Sequence, residues 1–494
     1  MTIDLADIIK AYDVRGTVPD QLSPEVARAI GAAFARVVAV PEGATRVVVG
    51  HDMRDSGPEL VDAFTAGVTG VGVDVVRIGL CSTDGLYHAS GALDAPGAMF
   101  TASHNPAVYN GIKLCRAGAR PVGQDTGLAD VRELAQELLD GTTPLVEPVE
   151  TSDRVSTGST SGGAASTGST SDQDTLADYA AFLRGLVDVS GIRPLKVVVD
   201  AGNGMAGHTV PAVLGTAAGL PALPLDVVPL YFELDGSFPN HEANPLEPAN
   251  LRDLQAAVVE HDADLGLAFD GDADRCFVVD EHGDPVSPSA VTALVGLREV
   301  AKELEAGRTP TVIHNLITSR AVPDLLQAAG ATTVRTRVGH SFIKAQMAQH
   351  DAVFGGEHSA HYYFRDFFFA DTGMLAALHV LAALGGQPHP LSVLAEMYSP
   401  YVASGELNSR VADAAAATAR VREAYASAYP QADVDELDGL TVAHWDGHPQ
   451  WWFNLRASNT EPLLRLNVEA ADEDIMIKVR DDVLSLVRQE EDEA

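Results

Sequence analysis

The stretch richest in chemistry is Asp270-Gly-Asp-Ala-Asp-Arg275, three carboxylates at alternate positions followed by a guanidinium. Like charges this close repel, so the pattern calls for a cation. A fully extended chain would set Asp270 and Asp274 about 13 Å apart, too far for one ion. The loop is therefore expected to curl, which Gly271 and Ala273 permit. Short carboxylates suit a hard cation such as Mg²⁺, with positions left for phosphoryl oxygens or water. Arg275 could grip a phosphate through its planar fork. Asp270, Asp272, Asp274 and Glu281 also match four ligand positions of a calcium-binding helix–loop–helix. That motif, however, needs Gly where Arg275 stands, and helices where the flanks here read as strands. A structural acidic turn is the remaining reading.

Three more loops carry candidate groups. Thr101-Ala-Ser-His-Asn-Pro106 follows the apolar Ala98-Met-Phe100, so Ser103 lies just past a strand end, where α/β folds place ligands. Ser103 could be a nucleophile; a His neighbouring in sequence is not a Ser–His dyad, and alone the loop reads more readily as a hydrogen-bonded turn. In Gly355-Gly-Glu-His-Ser-Ala-His361, Glu357 and Ser359 alternate and could face one cavity, a carboxylate and a hydroxyl suited to vicinal sugar hydroxyls. In Arg456-Ala-Ser-Asn-Thr-Glu-Pro462 a guanidinium, two hydroxyls and an amide share one tight loop. That set suits a phosphate, with Arg456 for charge and Ser458, Asn459 and Thr460 as donors, and a capping turn is the alternative. Gly202, Gly204 and Gly207 have the spacing of a dinucleotide-binding turn. No acidic residue closes a second strand some 20 residues on, so a tight strand–helix turn is expected there.

The elements that must position these loops read as α/β. Arg46-Val-Val-Val-Gly50, Lys196-Val-Val-Val-Asp200 and Thr311-Val-Ile-His314 are β-branched runs, each before a loop and a helical stretch, as parallel βαβ units require. Leu265-Gly-Leu-Ala-Phe269 and Cys276-Phe-Val-Val279 bracket the acidic loop as strands. Trp451-Trp-Phe-Asn-Leu455 and Leu463-Leu-Arg-Leu-Asn-Val468 read as an antiparallel hairpin. From about Thr151 to Thr175 the chain is Ser, Thr and Gly with little apolar content, which predicts a flexible linker without chemistry.

With 494 residues, three or four domains are expected. A hydrophobic share of 46% against 21% charged residues is that of a packed globular protein. The net charge of -36 argues against nucleic acid and anionic lipid as partners, and an anionic substrate would need a local basic pocket. No apolar run approaches the ~20 residues that span a bilayer. The acidic N-terminus lacks a signal-peptide pattern, and Cys81, Cys115 and Cys276 are odd in number and far apart. A cytoplasmic location with reduced thiols is expected.

Taken in order, these loops resemble those of the α-D-phosphohexomutase superfamily, and within it the bacterial phosphomannomutases. Lys10-Ala-Tyr-Asp-Val-Arg-Gly16, Asn110-Gly-Ile-Lys113, Asp235-Gly-Ser-Phe-Pro-Asn-His241 and Gly356-Glu-His-Ser-Ala-His-Tyr-Tyr-Phe-Arg-Asp366 complete the match. It covers nearly the whole chain except the Ser/Thr/Gly insert. The resemblance implies an α/β fold of three similar mixed-sheet domains plus a C-terminal α+β domain around a central cleft. The expected divisions are 1–150 with the serine loop, 151–175 as insert, 176–284 with the metal loop, 285–400 with the sugar loop and 401–494 with the phosphate loop. It further implies a phosphoserine at Ser103, and Mg²⁺ between its phosphate and Asp270, Asp272 and Asp274. Arg15, His104, Lys113 and His361 would be catalytic companions. Tyr12, Arg275, His340, Glu357, Ser359, Arg456, Ser458, Asn459 and Thr460 would bind substrate.

The implied reaction interconverts mannose 6-phosphate and mannose 1-phosphate through mannose 1,6-bisphosphate, with a hexose 1,6-bisphosphate as primer. Hexose phosphates would be the only partners of a monomer or dimer. A dual glucose/mannose mutase is the nearest alternative, because the residue between Glu357 and Ser359 leaves sugar choice open. A non-catalytic phosphosugar- or calcium-binding protein is the rival from another class.

Overall fold

The computed structural model describes residues 3–10, 12–143, 167–457 and 463–489. They fall into two compact units, Met1–Pro285 with Tyr363–Pro388, and Val286–Tyr362 with His389–Ala494.

The first unit contains two mixed sheets. Arg46–His51 is β-branched along its length and buried at four successive positions, as a strand covered on both faces must be. It pairs in parallel with Asp74–Leu80 and Gly97–Phe100. Antiparallel strands Tyr109–Arg116 and Val14–Thr17 extend the sheet on the Gly97–Phe100 side. The second sheet sets Leu265–Phe269 between its parallel partner Leu195–Asp200 and its antiparallel partner Cys276–Val279. Leu225–Leu230 flanks Leu195–Asp200.

The expected linker is corrected at its C-terminal end. Residues 151–166 lie outside the described residues, but Thr170–Asp172 pairs in parallel with Asp74–Leu80 and adds an edge strand to the first sheet. The reason is local: the Asp74 carboxylate accepts from the Ser169 backbone N–H at 2.6 Å and hydroxyl at 2.8 Å. Gly168 fits because a Cβ there would come within 2.1 Å of the Val73 carbonyl. Small polar residues with little strand propensity are thus recruited by cross-strand hydrogen bonds rather than by burial.

In the second unit Thr311–Asn315 lies between parallel strands Thr332–Thr336 and Phe354–Gly356. An all-antiparallel sheet follows in the order Val402–Arg410, Leu463–Ala470, Trp451–Ala457, Leu440–Ala443, Asp433–Asp435. One face of it buries Trp451, Phe453, Leu455, Leu466 and Val468 under the helices Ala414–Ala428 and Glu473–Val487. The three cysteines are buried and form no disulfide. No helix among the described residues is long and apolar enough to cross a membrane.

A buried polar knot fastens the first unit. Asp84, on the helix Thr83–Leu93, accepts hydrogen bonds from the hydroxyls of Ser82, Tyr179 (2.7 Å) and Thr372 (2.6 Å). Burial pushes its carboxyl up to about 6, against the opposing pull of the three donors. The unfolded chain loses this proton near pH 4 and the folded chain only near 6, so stability falls as pH rises through that window. The loss is about 3 kcal/mol, from roughly 1.4 kcal/mol per pKa unit. Thermal melts from pH 4 to 7 should show this fall in the native chain and not in Asp84→Asn; parallel curves for the two proteins would refute the assignment.

Candidate active site

The serine loop and the acidic loop follow strand ends of the two sheets in the first unit. Ser103 sits after Gly97–Phe100 at a φ of 50°, in the left-handed region that a non-glycine residue rarely adopts. Ala273, at a φ of 61°, supplies the curl expected of the acidic loop. The two loops touch. A Cβ on Gly271 would lie 2.4 Å from the Ser103 carbonyl oxygen, so only glycine allows this approach. Gly204 serves the other side of the same loop, where a Cβ would come within 2.7 Å of the Gly271 carbonyl. The glycine run at 202–207 is therefore a packing turn behind the acidic loop, leading into the helix Ala206–Val213.

The Ser103 hydroxyl donates to Asp270 Oδ2 at 2.8 Å, and only 3% of the residue is exposed. Arg275 clasps the same carboxylate oxygen, with Nε at 2.9 Å and Nη2 at 2.8 Å. Lys113 Nζ bridges Asp272 Oδ2 and Asp274 Oδ2 at 2.7 and 2.6 Å. Thr83 adds a hydroxyl to Asp272 Oδ2 at 2.5 Å. All three carboxylates are fully buried or nearly so. Burial favours the neutral acid, raising Asp270; at Asp272 the Lys113 ammonium outweighs burial and holds the group ionised. Lys113 would lose its proton more readily through burial alone, but the two aspartates hold it well above its ordinary value.

The donor set fits a divalent cation. One oxygen from each of Asp270, Asp272 and Asp274 lies within 4.8 Å of the others. Asp272 Oδ1 is buried and has no hydrogen-bond partner among the described residues. Hard oxygen donors with an unfilled lone pair are what such an ion requires.

Arg54 was not singled out in the sequence. It is 2% exposed and donates to the carbonyls of Ser103 (2.9 Å), Asn105 (2.7 Å), Pro106 (3.0 Å) and Tyr109 (2.9 Å), with Nε on Asp52 at 3.2 Å. Its guanidinium lies 5.2 Å from the centroid of Phe238, which places the Asp235–His241 motif against the back of the serine loop. Arg15 approaches from another side, donating to the Asn105 amide oxygen and to Ala102 O at 3.4 Å. Ammonium cannot reproduce a five-donor fork. Arg54→Lys is accordingly expected to lower kcat on the order of 10- to 100-fold with little change in KM, since misplacement of a reacting group by about 1 Å costs that much. Steady-state kinetics checks this, and an unaltered kcat would remove Arg54 from the positioning of Ser103.

His104 lies close to Ser103, its Nδ1 3.3 Å from the hydroxyl. That nitrogen accepts a hydrogen bond from Arg275 Nη2 at 2.6 Å, which occupies the lone pair a base would need. Tyr12 is 38% exposed.

The second unit holds the remaining candidates. Glu357 is buried and accepts from Asn315 Nδ2 at 3.3 Å and from the Gly339 N–H at 3.2 Å. Its backbone N–H donates to the His361 carbonyl at 3.0 Å, closing the loop on itself. The Ser359 hydroxyl and His361 Nδ1 are 3.0 Å apart, and that nitrogen is 3.7 Å from Glu357 Oε2. Glu357, Ser359 and His361 thus form one cluster; the alternation had pointed to Glu357 and Ser359 only. His340 opens the helix His340–His350, which Gly339 precedes; the His340 side chain and Ser458, Asn459 and Thr460 lie outside what is described. Arg456 pairs across the hairpin with Arg465, and both approach the single carboxylate of Glu406, at 4.0 and 3.2 Å. Nε of each is buried without a partner among the described residues. Two guanidiniums on one carboxylate leave a net positive site; Arg465 escaped notice because its strand reads as ordinary alternation.

Four family models match in order. Domains I, II and III of phosphoglucomutase/phosphomannomutase, each described as alpha/beta/alpha, cover residues 6–138, 177–283 and 288–401, and the C-terminal domain covers 406–486. A phosphomannomutase from Escherichia coli is 37% identical, over 97% of this chain and 98% of its own. A protein named phosphohexose mutases from Xanthomonas campestris is 39% identical, over 96% and 98%. The crystal structure of a phosphoglucomutase/phosphomannomutase family protein from Burkholderia thailandensis superposes with a TM-score of 0.81 at 29% identity, covering 97% of each chain. With all four domains matched in sequence and relatives similar along nearly their full length, the chain belongs to the phosphoglucomutase/phosphomannomutase family.

Proposed function

We propose that the protein is a phosphomannomutase, an intramolecular phosphotransferase that interconverts mannose 6-phosphate and mannose 1-phosphate through a phosphoserine at Ser103. The observation that carries this reading is the Ser103 hydroxyl, strained in backbone and set 2.8 Å from a cluster of three buried carboxylates. The phosphoryl group passes from Ser103 to the free hydroxyl of the sugar phosphate, giving a 1,6-bisphosphate. The intermediate then returns its other phosphoryl group to Ser103. A hexose 1,6-bisphosphate would prime the unphosphorylated serine.

Phosphoryl transfer needs charge neutralisation above all. Asp270, Asp272, Asp274 and the phosphate on Ser103 would hold Mg²⁺, which supplies part of that charge. Lys113, fixed as an ammonium by its two aspartates, serves as a charge stabiliser rather than a base. Arg275 reaches within 3.5 Å of the Ser103 hydroxyl and would hold the phosphoryl oxygens. His361 is the candidate to move the sugar hydroxyl's proton. Glu357 and Ser359 would take the sugar hydroxyls. Arg456, with Ser458, Asn459 and Thr460, would take the distal phosphate, and Arg465 joins that set. Tyr12, Arg15 and His340 complete the substrate contacts. In this reading four units carry the serine, metal, sugar and phosphate loops in turn, one loop each, and the enzyme works in the cytoplasm as a monomer or dimer.

The relative named phosphohexose mutases keeps glucose 1-phosphate in view as a second substrate. A coupled assay with mannose 1-phosphate, glucose 1-phosphate and glucosamine 1-phosphate should give the highest kcat/KM with mannose 1-phosphate and turnover that ceases in EDTA. A clear preference for glucosamine 1-phosphate, or full activity in EDTA, would contradict the proposal.

A further inference from the structure

The second unit contains a cavity of about 260 Å³ between its parallel strands and the antiparallel sheet. Its described lining shares no residue with the Glu357 loop and does not include Arg456. In a chain of net charge -36 this lining carries Arg320 and Arg335 and, among the described residues, no carboxylate. The acidic partners of the two guanidiniums, Asp324 at 2.8 Å from Arg320 and Asp435 beside Arg335, lie outside the lining. Each guanidinium thus has one carboxylate behind the lining, so the cavity is near neutral, and what the arginines offer a ligand is their remaining N–H donors, in the forked geometry that suits phosphate oxygens.

Its walls are aromatic. Trp445 lies under the Arg320 guanidinium, 5.9 Å from the ring centroid, and meets Tyr401 edge-on at 4.7 Å, so its indole is fixed. Trp452 is anchored by donation from Nε1 to Glu469 Oε2 at 2.7 Å. His314 is 6% exposed with Nδ1 3.0 Å from the Asn315 carbonyl, and burial with two nearby guanidiniums pushes its pKa down to about 4. It is a neutral imidazole that donates through Nδ1 and leaves Nε2 as an acceptor. Vicinal sugar hydroxyls are gripped by carboxylates and amides; the lining's one amide, Gln327, donates to the Thr333 hydroxyl at 2.7 Å, and the rest of its polar groups are guanidiniums, indoles, an imidazole and threonine hydroxyls. A flat ring carrying phosphate suits it better.

We propose that this cavity binds a nucleoside phosphate, with the phosphate between Arg320 and Arg335 and the base against Trp445 and Trp452. The ligand could be a free nucleoside monophosphate or the nucleotide end of a nucleoside-diphosphate sugar. Two of the three tryptophans line the cavity, so its occupancy reads out in intrinsic fluorescence. The full-length protein, with Mg²⁺ and saturating mannose 1-phosphate present throughout, is titrated with GMP, a guanosine-diphosphate sugar, AMP and inorganic phosphate. At least one nucleotide should quench saturably and bind roughly tenfold or more tighter than inorganic phosphate, the worth of about one good contact. The tighter of the two guanine ligands identifies the source. R320Q/R335Q should weaken binding at least about tenfold, the loss of charge-assisted contacts, with mutase activity within about twofold of native. R335Q alone carries the same test should the double variant fail to fold. Absence of saturable quenching, a response to phosphate equal to that of every nucleotide, or unchanged binding in the variant would overturn the proposal.

Discussion

Replacing Ser103 with alanine is expected to lower mutase kcat on the order of 10⁴-fold or more, because in the proposed mechanism the phosphoryl group travels between the two ends of the sugar on this hydroxyl. The effect on folding should be small. The hydroxyl is buried and gives Asp270 one hydrogen bond, while Arg275 continues to hold the same oxygen through two nitrogens. Removing one donor from a carboxylate that keeps its charged partner costs about 1–2 kcal/mol. Alanine must also adopt the positive φ of position 103, as serine already does. The expected signature is thus a near-complete loss of turnover in a protein with almost native melting behaviour. Residual activity within tenfold of native would remove the covalent step from the mechanism.

Lys113→Met should produce the opposite balance, a large loss of stability as well as of rate. The ammonium is the shared partner of Asp272 and Asp274, which are 0% and 1% exposed. Breaking a buried ion pair from one side leaves uncompensated charge in the interior, at about 3–5 kcal/mol. Methionine fills the space of the stem but neutralises nothing. A divalent cation would substitute for part of the missing charge, so Mg²⁺ should raise the melting temperature of the variant more than that of the native chain. The rate should fall about 10²- to 10³-fold, the usual cost of one preorganised charge at a transferring group. Melting curves in EDTA and in Mg²⁺ decide the matter. A variant as stable as native in EDTA would mean that the aspartates are neutralised in some other way.

The legible parts of the site were those whose chemistry is written in consecutive residues. Asp270, Asp272, Asp274 and Arg275 lie within six positions, and their mutual repulsion alone called for a cation and a curled loop. Strands such as Arg46–His51 were legible because an unbroken β-branched run has few other uses. Arg54 was illegible for a corresponding reason. Its work is done on carbonyls about fifty positions further along, and nothing in its neighbourhood distinguishes a buried guanidinium from a surface one. Asp84 is similar, since its donor Tyr179 comes from the distant helix Leu176–Leu186 and Thr372 caps another, Gly373–Gly385. Thr170–Asp172 failed as a reading for the opposite reason: composition spoke for a linker, and hydrogen bonds from Ser169 to Asp74 overrode it.

In the proposed mechanism everything turns on Ser103 as carrier of the phosphoryl group. Mass spectrometry of the peptide containing Ser103, after incubation with mannose 1,6-bisphosphate and Mg²⁺, tests it most directly. One phosphate is expected on Ser103, discharged when mannose 1-phosphate or mannose 6-phosphate is added in excess. An unmodified Ser103 in a preparation that turns over, or a phosphate that added sugar phosphate does not remove, would contradict it.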